Sequence, residues 1–112
     1  MSFDIPYPIA AAPQVVFFDR RELNTILQLY GRMVAAGEWR DYAIDGTKDR
    51  AVFSVFRHTS ENPAYRIEKR PDLARRQGAW AVLGQGGAVL RRGHELEQVL
   101  KLFDARRFRI VE

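Results

Sequence analysis

The sequence predicts an α+β fold: an antiparallel meander of four or five strands, with an N-terminal and a C-terminal amphipathic helix packed on one face. Three observations carry that prediction. A stripe of apolar residues at helical spacing comes first, a series of short β-branched and aromatic runs joined by turn formers fills the middle, and a second helical stripe follows. Connections this short make neighbouring runs pair antiparallel, and two one-faced helices bury their stripes most simply on one side of the resulting sheet.

Residues 1 to 14 carry three prolines and no periodicity, which predicts a flexible arm, with one α+β domain over 15 to 112. After the short run "QVVFF", Asp19 offers a carboxylate at an N-cap position and Glu22 stands three residues on, the pattern of a capping box. Leu23, Ile26, Leu27, Tyr30 and Val34 then form one helical face, and Gly37 can take the left-handed conformation that ends a helix, so the helix spans 19 to 36. Strands are expected at 40 to 45, 50 to 58 and 64 to 69, separated by the turn formers of "GTKD" and "TSENP". In the middle one, Ala51, Phe53 and Val55 point one way and Val52, Ser54 and Phe56 the other; apolar groups on both faces suit an inner strand. "GAWAVL" (78 to 83) and "GAVLRR" (87 to 92) flank "GQG" as a further hairpin. Leu96, Val99, Leu100 and Phe103 define the second helix over 94 to 103, and "RFRIV" (107 to 111) is expected to close the chain as an edge strand.

At 112 residues the chain fits one domain, which buries roughly two-thirds of its unfolded surface. Its 46% apolar and 29% charged residues are those of a globular protein, far from the composition of disorder. The absence of cysteine excludes disulfides, thiolate metal sites and a cysteine nucleophile. Neither a secretory leader nor a membrane-spanning run is visible, so a cytoplasmic location is expected.

The usual chemical constellations are missing. "GQGG" (84 to 87) lacks the spacing, the lysine and the following helix of a phosphate-cradling loop, and is a turn. His58 and His94 lie too far apart in sequence for a helical metal motif, and His94 belongs to the start of the second helix. Ser54 and Ser60 have no nucleophile-elbow context, while Asp45, Asp49 and Glu61 stand near turns, where carboxylates cap backbone donors. The expectation is a non-enzymatic protein that needs no cofactor and no metal.

What stands out is charge. Residues 66 to 92 hold seven basic and two acidic side chains, whereas the flanking segments are balanced, so the net +4 originates here. Fifteen of the eighteen basic residues are arginine, which suits bidentate contact with phosphate or carboxylate, although a GC-rich genome gives the same bias. Within "RIEKRPDLARRQGAW" (66 to 80), alternation sets Tyr65, Ile67 and Lys69 on one face and Arg66, Glu68 and Arg70 on the other, toward solvent. If the loop and the last hairpin bring their arginines to the same end of the sheet, then Arg66, Lys69, Arg70, Arg75, Arg76, Arg91 and Arg92 form a basic surface for an anionic partner, DNA or RNA first. Trp39, Tyr65 and Trp80 could add stacking, but Trp80 alternates with Val82 and belongs to the core. The element order also matches the double-stranded-RNA-binding fold, whose second helix opens with a basic cluster; here it opens with His94, Glu95 and Glu97, against that assignment. The alternative is a protein-interaction or self-association module that uses an edge strand or a helix stripe.

Through "FFDRRELNTILQLYGRMVAAGEWRDYAID", "RAVFSVFRHTSENPAYRIEKRPDLARRQGAW" and "RRGHELEQVL" the chain resembles an uncharacterised family of small proteins, a domain of unknown function found in alphaproteobacteria. The resemblance covers residues 17 to 103. It implies a bacterial origin and brings no activity, cofactor or catalytic residue.

Overall fold

Asp19 begins the first helix as its carboxylate predicts: Oδ1 accepts from the Glu22 amide at 2.8 Å, and Glu22 Oε1 accepts from the Asp19 amide at 2.9 Å. Two otherwise orphaned donors are thereby satisfied, and helix α1 runs Arg20–Ala35. The structure is a computed structural model that describes residues 14–58 and 62–111, the last seven by their backbone alone. The predicted arm, together with Ser60 and Glu61, therefore lies outside the described residues except for Gln14.

Five strands follow in chain order and lie in that same order in one antiparallel sheet: β1 Asp41–Gly46, β2 Ala51–Phe56, β3 Tyr65–Lys69, β4 Trp80–Leu83 and β5 Val89–Gly93. Helix α2, Leu96–Val111, ends the described chain. The upper strand number is thus the right one. The β4–β5 turn uses Gly86 and Gly87 at φ 77° and 83°, backbone that residues with a Cβ rarely adopt. A bulge follows in the ladder between Val82 and Leu83.

One face of the sheet builds the core. Phe53, Val55, Ile67 and Val82 are buried there with Ile26, Leu29 and Met33 of α1 and Leu96, Val99 and Phe103 of α2. Aromatic edges lock the cluster, since Phe103 meets Trp39 and Tyr65 at 5.0 Å in T-shaped geometry. Phe18 stacks on Trp80, and the Val16 amide donates to the Thr47 carbonyl, so the segment before α1 crosses the end of the sheet.

Three expectations change. Residues 107–111 are helical and not an edge strand: Ala105, Arg106 and Arg107 are good helix formers and neither Gly nor Pro interrupts the run after Phe103, so α2 continues unbroken. Val34 is exposed, and Met33 turns inward instead, where its carbonyl accepts from the Glu38 and Trp39 amides as the chain folds back past Gly37. Glu68 does not face solvent; it is 4% exposed.

Candidate functional site

Glu68 is buried because two arginines close over it. On the sheet face opposite the core, strand register lines up Asp45, Val52, Glu68, Ala81 and Arg92 in one row across all five strands. Ala81 presents only a methyl group, so Arg92 reaches over it and sets Nη2 3.8 Å from Glu68 Oε1. From the other side Arg50, just before β2, brings Nη1 to 2.9 Å from Oε2. One carboxylate between two guanidinium groups leaves a net positive charge held at fixed positions, with Glu68 orienting both cations.

The next row, two residues along β1 to β4 and so about 6.7 Å away, and three along β5 because of the bulge, reads Ala43, Ser54, Arg66, Leu83 and Val89. Arg66 has no ion-pair or hydrogen-bond partner among the described residues. Ser54 faces it directly on β2, buried at 7% exposure, and its hydroxyl is likewise unpartnered. Val52, Ser54, Phe56, Pro63, Arg66 and Leu83 line a groove of about 610 Å³ on this face.

The seven residues of the predicted basic surface do not share one environment. Arg66 and Arg92 stand on this outer face. Arg70 lies at the end of β3, where Nη2 pairs with Asp72 at 3.1 Å; that hydrogen bond holds its guanidinium pKa above the ordinary value, outweighing the opposing effect of burial. Arg75 and Arg76 are exposed in the β3–β4 connection, without a side-chain partner among the described residues, at the same end of the sheet as Arg50, Arg70 and Arg92. Lys69 points to the core side, where Nζ reaches Glu22 Oε1 at 2.7 Å and the Phe17 carbonyl at 2.9 Å and sits 5.9 Å from the centre of the Trp80 ring. Arg91, partnered in register with buried Val82, is on that side too and donates to the Gln98 carbonyl.

Trp39, Tyr65 and Trp80 are all buried in the core and present no stacking surface. Phe56 lines the groove on the outer face; it and Arg50 lie outside the charge excess over 66 to 92 and so were not among the expected site residues, although the alternation 50, 52, 54, 56 places them on one face.

Elsewhere, a cleft of about 330 Å³ runs between the starts of the helices and is lined by Asp19, Glu22, Glu95 and Glu97, a setting hostile to anions. His58 and His94 are exposed after β2 and β5, which run in opposite directions, so they stand at opposite ends of the sheet. Among the described residues no cluster of three or more His, Asp or Glu side chains could hold a metal ion, and no helix is long and apolar enough to cross a membrane.

A family model described as Protein of unknown function (DUF2794) matches residues 16–100. Neither a curated protein nor a solved structure matches the chain.

Proposed function

We propose, for a chain that belongs to the family described as Protein of unknown function (DUF2794), a non-enzymatic binding or regulatory module whose outer sheet face takes an anionic partner, DNA or RNA. In this reading both amphipathic helices cover the core face alone and leave the other uncovered. An alphaproteobacterial, cytoplasmic setting, as the sequence resemblance implies, fits the arginine bias.

The observation that carries the proposal is the group of guanidinium side chains on one face and at one end of the sheet. Arg50 and Arg92 are held by Glu68, Arg66 beside them has no partner among the described residues, and Arg75 and Arg76 extend the charge at the sheet end. A nucleic acid repeats its charge along a line, and an array of fixed cations beside apolar groups suits such a chain better than a single small anion. Among the described residues the Ser54 hydroxyl has no base hydrogen-bonded to it, which is why binding and not catalysis is proposed.

Fluorescence anisotropy with labelled single- and double-stranded DNA and RNA tests the reading. Binding at about 50 mM salt that weakens steeply by 200 mM is expected, and no binding at the lower salt rejects it.

A second reading rests on β1, whose six residues are all exposed, Tyr42 and Ile44 among them. Such an edge offers free backbone donors and acceptors to another strand. Light scattering after size exclusion discriminates: self-association supports this reading, and a strict monomer that captures no protein partner removes it.

A further inference from the structure

We infer that the groove on the outer face seats one nucleotide unit, with its phosphate between the Ser54 hydroxyl and the Arg66 guanidinium and its base against Phe56; this rests on the reading of the outer face as anion-binding. Ser54 is more than nine-tenths buried and lines the groove, and its hydroxyl has no partner among the described residues. A buried donor left unpaired destabilises the fold, so such a group calls for a reason. Arg66 supplies one. The two residues are direct cross-strand partners, which puts their Cβ atoms about 5 Å apart, close enough for hydroxyl and guanidinium to reach the same oxyanion.

Arg50 and Arg92 are already committed to Glu68, so they are a cationic floor one row away and not the first contact. Phe56 is next to Ser54 along the same face of β2, half-buried and without a ring partner among the described residues, and Pro63 lines the groove with it. An aromatic ring beside an anion clamp is what a base and its own phosphate require. Asp45 also lines the groove and stands two residues from Ala43, which heads the Ser54–Arg66 row. Its charge opposes a triphosphate and tolerates a single phosphodiester or monophosphate. The volume of about 610 Å³ lies within the range of small-ligand sites.

The phosphate could belong to a strand or to a free mononucleotide, and the experiment separates them. Uridine monophosphate, inorganic phosphate and a short oligouridine are titrated into the full chain and into Ser54→Ala, Arg66→Ala and Arg91→Ala variants. For the ligand that binds, Arg66→Ala is expected to weaken affinity roughly tenfold and Ser54→Ala about fivefold. Arg91→Ala leaves it unchanged. Thermal unfolding supplies the control, because Ser54→Ala, which deletes an unsatisfied buried hydroxyl, should leave the melting temperature level or raise it while affinity falls. Oligouridine binding that ignores both Ser54→Ala and Arg66→Ala overturns the seat and spares the nucleic-acid reading. Binding of the monophosphate without the oligomer supports the seat and overturns that reading. Inorganic phosphate binding as tightly as the monophosphate overturns the place given to Phe56, and no binding by any of the three overturns both proposals.

Discussion

At the scale of single residues, the outer face depends on Glu68. It is buried with two cations turned onto it, so removing the carboxylate leaves both guanidinium groups facing each other with nothing between them. Losing one partner of a fully buried pair costs several kcal/mol; Arg50 is 38% exposed and solvent screens it, so Glu68→Ala is expected to lower stability by about 2 kcal/mol, read by urea denaturation. A loss below about 0.5 kcal/mol, the level of an ordinary surface change, would deny Glu68 that role. Gly78 is a second such point. At φ 105° its position would bring an added Cβ to within 2.2 Å of the Gly93 backbone, which cannot give way like a side-chain tip. Gly78→Ala should therefore separate β5 from the start of β4 and destabilise by 2 kcal/mol or more, an estimate of about the size reported for strained backbone sites; unchanged thermal stability would contradict the close approach. Tyr30 sets a pH effect. Burial raises its pKa above the usual tyrosine value, and the Asp41 charge and Tyr42 add to the shift. The folded state thus holds this proton more tightly than the unfolded one. The contribution is complete below about pH 10, the unfolded value, and lost as pH climbs through the raised folded value. Comparing Tyr30→Phe with the parent from pH 8 to 11 should show a shallower alkaline decline in the variant.

At the scale of elements, local chemistry decides starts and stops. The reciprocal Asp19–Glu22 bonds that begin α1 were readable from two residues at the right spacing, and Asp19→Ala should cost about 1 kcal/mol in chemical denaturation. A variant as stable as the parent would mean that the cap contributes nothing measurable. The strands were equally readable, because a period of two survives in "AVFSVF" and "YRIEK" whatever the chain does elsewhere. The end of α2 was not. "RFRIV" has strand-like composition, yet it continues a helix already propagating through Ala105 and Arg106, and extending a helix is far easier than starting a new element. The inward turn of Met33 in place of Val34 was hidden for a related reason: the choice depends on where the chain returns after Gly37, with Trp39 packed into the core.

At the scale of the whole molecule, the fold divides the arginines into those that are occupied and those that are available. Arg66, Arg75 and Arg76 are unpartnered among the described residues, whereas Arg70 and Arg92 answer carboxylates and Arg91 a backbone carbonyl. If the outer face binds nucleic acid, replacing all three free arginines by alanine should reduce the slope of log affinity against log salt by about 3 and leave the unfolding transition nearly in place. An unaltered slope would move the contact elsewhere. The sequence by itself determined the α+β class, the succession of elements as far as the start of the second helix and which side chains of the inner strands share a face, because helical and strand periods are local properties of neighbouring residues. Only the tertiary structure decided which cations are free and that Ser54 meets Arg66. Those relations join residues far apart in the chain, such as Glu22 with Lys69 and Arg50 with Glu68, and they exist only once strand register and helix docking have set which side chains lie within a few ångströms of one another.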